Sequence, residues 1–127
     1  MHAKTHSPGF LALVNDAKSR VTEIQIEQYE EMVAAGAPHL LVDVREDNEW
    51  NAGHAAGARH LSKGIIERDI EAAIPEKDRT LVLYCGGGFR SALAADALGK
   101  MGYSKVLSLD GGWRAIVSSG LPLELES

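Results

Sequence analysis

The sequence predicts an α/β domain: a parallel sheet flanked by helices on both faces. Three observations lead there. Compact apolar runs at Leu40-Leu41-Val42-Asp43-Val44, Leu81-Val82-Leu83-Tyr84 and Lys105 to Leu109 are too short for helices and have the density of strands buried on both sides. Stretches with apolar residues at helical spacing lie between them, several closed by glycine or proline. Strands alternating with helices imply right-handed crossovers, and such crossovers join parallel strands. With 127 residues, 45% hydrophobic and 24% charged, the chain has the size and composition of one globular domain.

The elements follow in order. An N-terminal extension, residues 1–20, precedes a domain at residues 21–127. Pro8 to Arg20 reads as a short amphipathic helix lying against the domain, and Met1 to Ser7, with His2 and His6, as a frayed end. Ile24 and Ile26 mark a short strand. Glu27 to Ala35 is a helix with Tyr29, Met32 and Val33 on its apolar side, stopped by Gly36 and Pro38. Ile66, Ile70 and Ile74 recur one helical turn apart until Pro75. The Leu81 strand runs straight into Cys85. Ala94, Ala97, Leu98 and Met101 form the stripe of the next helix, with Gly102 as its cap, and Trp113 to Ser118 forms a short last helix.

Composition excludes several function classes. A net charge of −5 speaks against nucleic-acid or anionic-membrane partners. One cysteine excludes an intrachain disulfide, a CxxC redox pair and a cysteine-rich zinc site. The apolar run Phe10-Leu11-Ala12-Leu13-Val14 is too short to span a membrane and lacks a signal-peptide cleavage site. The chain is therefore expected in the cytoplasm.

Parallel sheets bind ligands at the carboxyl ends of their strands. Three strand ends carry polar or glycine-rich residues: Asp43-Val44-Arg45, Cys85-Gly86-Gly87-Gly88 and Asp110-Gly111-Gly112. They are expected to share one rim. Cys85-Gly86-Gly87-Gly88-Phe89-Arg90-Ser91 lies between a buried strand and the N-terminus of an alanine-rich helix. Glycines there permit backbone geometry that side chains forbid, so that N–H groups converge on one point, and the helix dipole adds positive potential. A free cysteine is only ~3% thiolate at pH 7, whereas thiols beside helix N-termini or cations ionise far more readily. Arg90 supplies a permanent cation and a planar donor fork. The alternative is an inert buried cysteine; the glycines and the arginine favour a nucleophile.

With Val42-Asp43-Val44-Arg45-Glu46, Glu49-Trp50-Asn51-Ala52-Gly53-His54, Gly57-Ala58, the cysteine loop and Asp110-Gly111-Gly112-Trp113, the chain resembles a single-domain rhodanese from about Thr22 to Glu124. The resemblance implies the three-layer rhodanese fold and sulfurtransferase chemistry. In that chemistry the loop cysteine takes a sulfane sulfur from thiosulfate or a persulfide donor, holds it as a persulfide, and yields it to cyanide, a thiol or a protein acceptor. The backbone of Gly86 to Arg90 would form the anion cradle, with the Arg90 guanidinium orienting substrate or bracing the loop. No metal or organic cofactor is required. A non-catalytic or sulfur-relay module docking on a partner protein is the alternative. Phosphatases and arsenate reductases of the related fold use a loop one residue longer than the four that separate Cys85 from Arg90. Many thiosulfate-active rhodaneses place a basic side chain just after the cysteine. Here those positions are glycine, leaving Arg90 as the one side-chain cation of the loop and predicting weak thiosulfate binding.

Asp43 and Arg45 stand at alternate positions of a strand end and project to the same side. The resemblance implies a supporting role for them near the loop; a surface ion pair is the alternative. Trp50 reads as a packing residue, and His54 and His60 as hydrogen-bonded structural histidines rather than metal ligands. Gly111, Gly112 and Trp113 either border the rim or serve turn and core.

Overall fold

The computed structural model describes residues 6–126, so the reading of Met1 to Thr5, His2 included, falls outside the described residues. Five strands form one fully parallel sheet in the order β1 (Thr22–Ile24), β6 (Val106–Leu109), β5 (Leu81–Tyr84), β2 (Leu40–Asp43), β4 (Arg59–His60). A separate antiparallel pair joins β3 (Gly53–Ala55) to β7 (Leu123–Leu125). The helices are α1 (Pro8–Lys18), α2 (Ile26–Ala34), α3 (Asp47–Ala52), α4 (Ile66–Ala73), α5 (Phe89–Lys100) and α6 (Gly112–Ser119).

Period-two alternation sorts the strand residues into two cores. On one face, Val42, Val44, Leu81, Leu83 and Cys85 pack with Ile66 and Ile70 of α4 and Ala94, Ala95 and Leu98 of α5. On the other, Leu41, Val82, Tyr84 and Leu109 pack with Tyr29 of α2 and Ile116 of α6. Each fully buried aliphatic side chain contributes roughly 1.5–3 kcal/mol, which is why the short central strands hold without exposed flanks. The three-layer α/β expectation stands. Helix α1 lies outside α5, burying Val14 and Ala17, and Arg20 binds both oxygens of Asp96 at 2.9 and 2.8 Å.

Three local readings change. Ile26 opens α2 rather than continuing a strand, because the Gln25 N–H is taken by its own helix's Gln28 side chain at 2.7 Å and Gln25 becomes the cap. Gly102, at φ +100°, is the residue after the cap of α5; its N–H reaches Gly99 O and the Tyr103 N–H reaches Leu98 O, a double closure. The elements α3, β3, β4 and β7 have no counterpart in the sequence reading, being too short for any periodicity to register.

One contact fixes the rim at the carboxyl ends of the strands. Helix α6 begins against the chain leaving β5, and a Cβ on Gly112 would collide with the Cys85 carbonyl. Gly112→Ala should therefore destabilise the fold by roughly 2–4 kcal/mol, combining overpacking with its φ of +49°. Gly99, inside α5 with no heavy atom within 4 Å of where a Cβ would stand, is the control. Gly99→Ala should stabilise by about 0.5–1 kcal/mol in the same denaturant titration.

Candidate active site

Strands β2, β5 and β6 are adjacent and parallel, so their carboxyl ends meet as the sequence predicts. The loop between β5 and α5 is locked from behind by α6. Trp113 N–H donates to Cys85 O at 2.7 Å, Arg114 N–H to Gly86 O at 3.3 Å, and Gly111 N–H to Gly87 O at 3.1 Å. These donors belong to the start of a helix, where N–H groups have no partner within the helix itself. Asp110 is held beside them by Gln25, whose side-chain amide donates at 3.1 Å.

With the loop carbonyls taken on that side, the sulfur meets a donor on the other. Gly88 N–H points at Cys85 Sγ at 3.0 Å. Gly88 sits at φ +110°, the conformation for which the sequence calls for glycine. Gly86 and Gly87 do not share it. A side chain at either would start against an arginine: a Cβ on Gly86 would lie 3.1 Å from Arg90 Nη2, and one on Gly87 would lie 2.9 Å from Arg114 Nη2. The N–H groups of Gly86, Gly87, Phe89 and Arg90 donate to no protein acceptor among the described residues. The Cys85 thiol in turn donates to Ser91 Oγ at 3.6 Å, and Ser91 shares a 2.9 Å hydrogen bond with Ser108. Both serines are fully buried. The sequence reading misses Ser108; its one available signal is a lone hydroxyl in the apolar run Val106-Leu107-Ser108-Leu109.

Arg90 is held, not free. Its Nη1 and Nη2 donate to Glu49 Oε1 and Oε2 at 2.7 and 3.1 Å, a bidentate pair that reaches from α5 to α3. The Arg90 hydrogen bonds hold the Glu49 carboxyl down at about 2, against an ordinary 4.5. Asp43 and Arg45 form an ion pair, but a buried one: Arg45 Nη2 and Asp43 Oδ2 are 2.7 Å apart, and Nη2 also donates to Gly53 O at 2.6 Å. The pair lies on the sheet face opposite the sulfur, with the Arg45 guanidinium over the rings of Trp113 and Tyr84 at 4.6 and 5.6 Å. It reaches toward the loop through Trp113, whose N–H holds the Cys85 carbonyl.

An open pocket of about 920 Å³ reaches Cys85. Cys85 is 1% exposed at its base, among Gly86, Gly87, Phe89 and Arg90, with Arg114 from α6 on its lining. His6 and Phe10 line it too, and here the expectation of a frayed end fails for His6. Its ring stands edge-on to Phe89 at 4.7 Å and tilted to Phe10 at 5.3 Å, so the loop phenylalanine anchors it. Trp50 lies away from the pocket, stacked between His54 at 3.4 Å and His60 at 4.9 Å. His54 contacts Trp50 O and Glu124, and His60 contacts Arg45 O.

Known proteins bear on this geometry. The rhodanese-like domain family matches residues 25–119. The thiosulfate sulfurtransferase GlpE of Stutzerimonas stutzeri is 40% identical over 91 residues, covering 69% of this chain and 80% of that protein. The probable adenylyltransferase/sulfurtransferase MoeZ of Mycobacterium tuberculosis is 41% identical over 78 residues, 61% of this chain, and the chain spans 20% of that protein's length. A solved structure from Rhodopseudomonas palustris, of a protein of unknown function described as a possible tyrosine phosphatase, has a TM-score of 0.83 at 28% identity and covers 98% of this chain and 100% of that one. The family match runs through every strand of the parallel sheet except β1 and through both helices that hold the cysteine loop, and the chain belongs to the rhodanese-like domain family.

Proposed function

We propose that the chain is a sulfurtransferase that moves a sulfane sulfur from thiosulfate or a persulfide donor to a thiophilic acceptor, with Cys85 as nucleophile and carrier. The observation that carries this reading is the Gly88 N–H aimed at Sγ, amid loop N–H groups that no protein acceptor among the described residues uses. Such donors stabilise negative charge on sulfur without needing to reorganise. In the first step the Cys85 thiolate attacks the outer sulfur of thiosulfate; a new S–S bond forms, the old one breaks, and sulfite leaves with the electron pair. In the second, cyanide or a thiolate attacks the outer persulfide sulfur and Cys85 leaves as thiolate. The terminal persulfide anion gains from the same donors as the thiolate did. Two displacements through one covalent intermediate give ping-pong kinetics. A sole thiol that must stay reduced suits a compartment such as the cytoplasm.

Arg90 braces the loop through Glu49 in this reading, and Asp43 with Arg45 supports it through Trp113. Relay of the sulfur to a protein acceptor is a second reading, and it keeps the same persulfide. The phosphatase description of the Rhodopseudomonas palustris protein suits this loop less well, since the four residues between Cys85 and Arg90 make a small ring.

Thiosulfate should add one sulfur atom to the native protein, seen by intact-mass spectrometry, and none to Cys85→Ser, which should also lose thiocyanate production. Persistent turnover in that variant would remove Cys85 from the mechanism. A p-nitrophenyl phosphate assay alongside should stay at background; robust hydrolysis would favour the phosphatase reading.

Glu49 makes a second test. Its carboxyl is held below its ordinary value by Arg90, so its stabilising contribution is full above about pH 4.5 and is lost as pH falls toward about 2. Glu49→Gln should cost about 1 kcal/mol at neutral pH, the scale of a solvent-screened bidentate pair. The gap between native protein and variant should close between pH 4.5 and 2. A gap that stays constant across that window in chemical denaturation would mean the ion pair does not brace the loop.

A further inference from the structure

We propose that Arg114 is the specificity-determining residue for the sulfur donor, binding the oxyanion group of a thiosulfonate-type donor such as thiosulfate; this rests on the sulfurtransferase reading of Cys85. Three guanidinium groups stand near the rim, and two are committed. Arg45 is buried against Asp43 and Gly53 O, and Arg90 is tied to both oxygens of Glu49. Arg114 is exposed, lines the same pocket as Cys85, and its side chain makes no ion pair or hydrogen bond among the described residues. Glu46 and Glu49 are the carboxylates on that lining. Glu49 is matched by Arg90 and Glu46 makes no ion pair with Arg114, so among the described residues Arg114 faces the pocket as a cation without a partner.

Its position is the decisive point. Arg114 Nη2 and Cζ lie 2.9 and 3.6 Å from where a Cβ on Gly87 would stand. The guanidinium thus fills the space in which a side chain at the second position after the cysteine would begin. Gly87 has no positive φ, so what a side chain there would meet first is this guanidinium, which would have to move aside. Arg114 N–H donates to Gly86 O and Gly111 N–H to Gly87 O, so the backbone of this arginine is pinned to the loop it overlies. The weak thiosulfate binding expected from the loop sequence considers only side chains within the loop; here a helix behind it delivers the cation.

The chemistry names the donor class. When thiosulfate gives up its outer sulfur, the electron pair departs with the SO3 group and negative charge builds on it. A cation on those oxygens therefore counts for more in the transition state than in the bound donor. A glutathione persulfide releases a thiolate instead, with its carboxylates several bonds from the breaking S–S bond, and draws less from such a cation.

The test is single-turnover loading of Cys85, followed by mass spectrometry, with thiosulfate and with glutathione persulfide as donors. Arg114→Gln should lower the ratio of loading efficiencies, thiosulfate over glutathione persulfide, by roughly ten-fold, the loss of one charge-assisted contact. Arg114→Lys should recover part of it. Adding Gly87→Lys to Arg114→Gln should restore the ratio, because the vacated space admits the new ammonium. An unchanged ratio in folded Arg114→Gln, or an equal loss with both donors, would overturn the proposal. Failure of the native protein to load from either donor would instead overturn the sulfurtransferase reading.

Discussion

The geometry of the site depends on the seam between the start of α6 and the carbonyls of the cysteine loop. A helix begins with N–H groups that have no partner inside the helix, and burying them unpaired is costly. Here the Cys85, Gly86 and Gly87 carbonyls take N–H groups of Trp113, Arg114 and Gly111. Committing the loop carbonyls to one side leaves its N–H groups for the other, where Gly88 meets the sulfur. One set of hydrogen bonds thereby caps a helix and orients a cradle. The approach is close enough that Gly112 can carry no side chain, which makes this seam the least tolerant point of the rim.

The sheet divides the work between its faces. On one, Cys85, Ser91 and Ser108 form a short buried chain of polar groups. On the other, Asp43 and Arg45 form a pair that is 0% and 3% exposed. A buried ion pair gains little net stability over apolar packing, because both charges lose their hydration. This one also holds Gly53 O and stacks on Trp113, so its value lies in fixing where α6 starts relative to β2. Removing either charge would leave the other buried without a partner, a larger loss than the pair's own net worth.

The central strands and the larger helices are legible in the sequence because burial on two faces forces dense apolar runs, and amphipathic packing forces a helical period. Ile66, Ile70 and Ile74 show the second, Leu81 to Tyr84 the first. The cysteine, its loop and their place at the strand ends are legible for the same reason. Elements of two to six residues, such as α3 and β4, carry too few positions for a period. Glu49 and Arg114 stay hidden for a different reason. Each reaches the loop through space from another element, and nothing local to either residue encodes that reach. The glycines are half legible: Gly88 has the expected backbone, while Gly86 and Gly87 lie against the ends of Arg90 and Arg114, a crowding no local pattern encodes. His6 reads as frayed because a terminus has few local contacts; its anchor, Phe89, lies far along the chain.

This layout separates reactivity from recognition. The donor at the sulfur is a backbone group, the Gly88 N–H, which a change of side chain elsewhere leaves in place provided Gly88 keeps its conformation. The charges around it come from elsewhere: Glu49 on α3 governs Arg90, and α6 carries Arg114. The family match at residues 25–119 includes both of these helices but not α1, whose Phe10 lines the pocket together with His6 just ahead of it. The pocket therefore has a base inside the family region and part of its wall outside it. His6 and Phe10 on that wall stand apart from the loop N–H groups around Cys85, so the approach to the cysteine and the backbone that surrounds it are built by different parts of the chain.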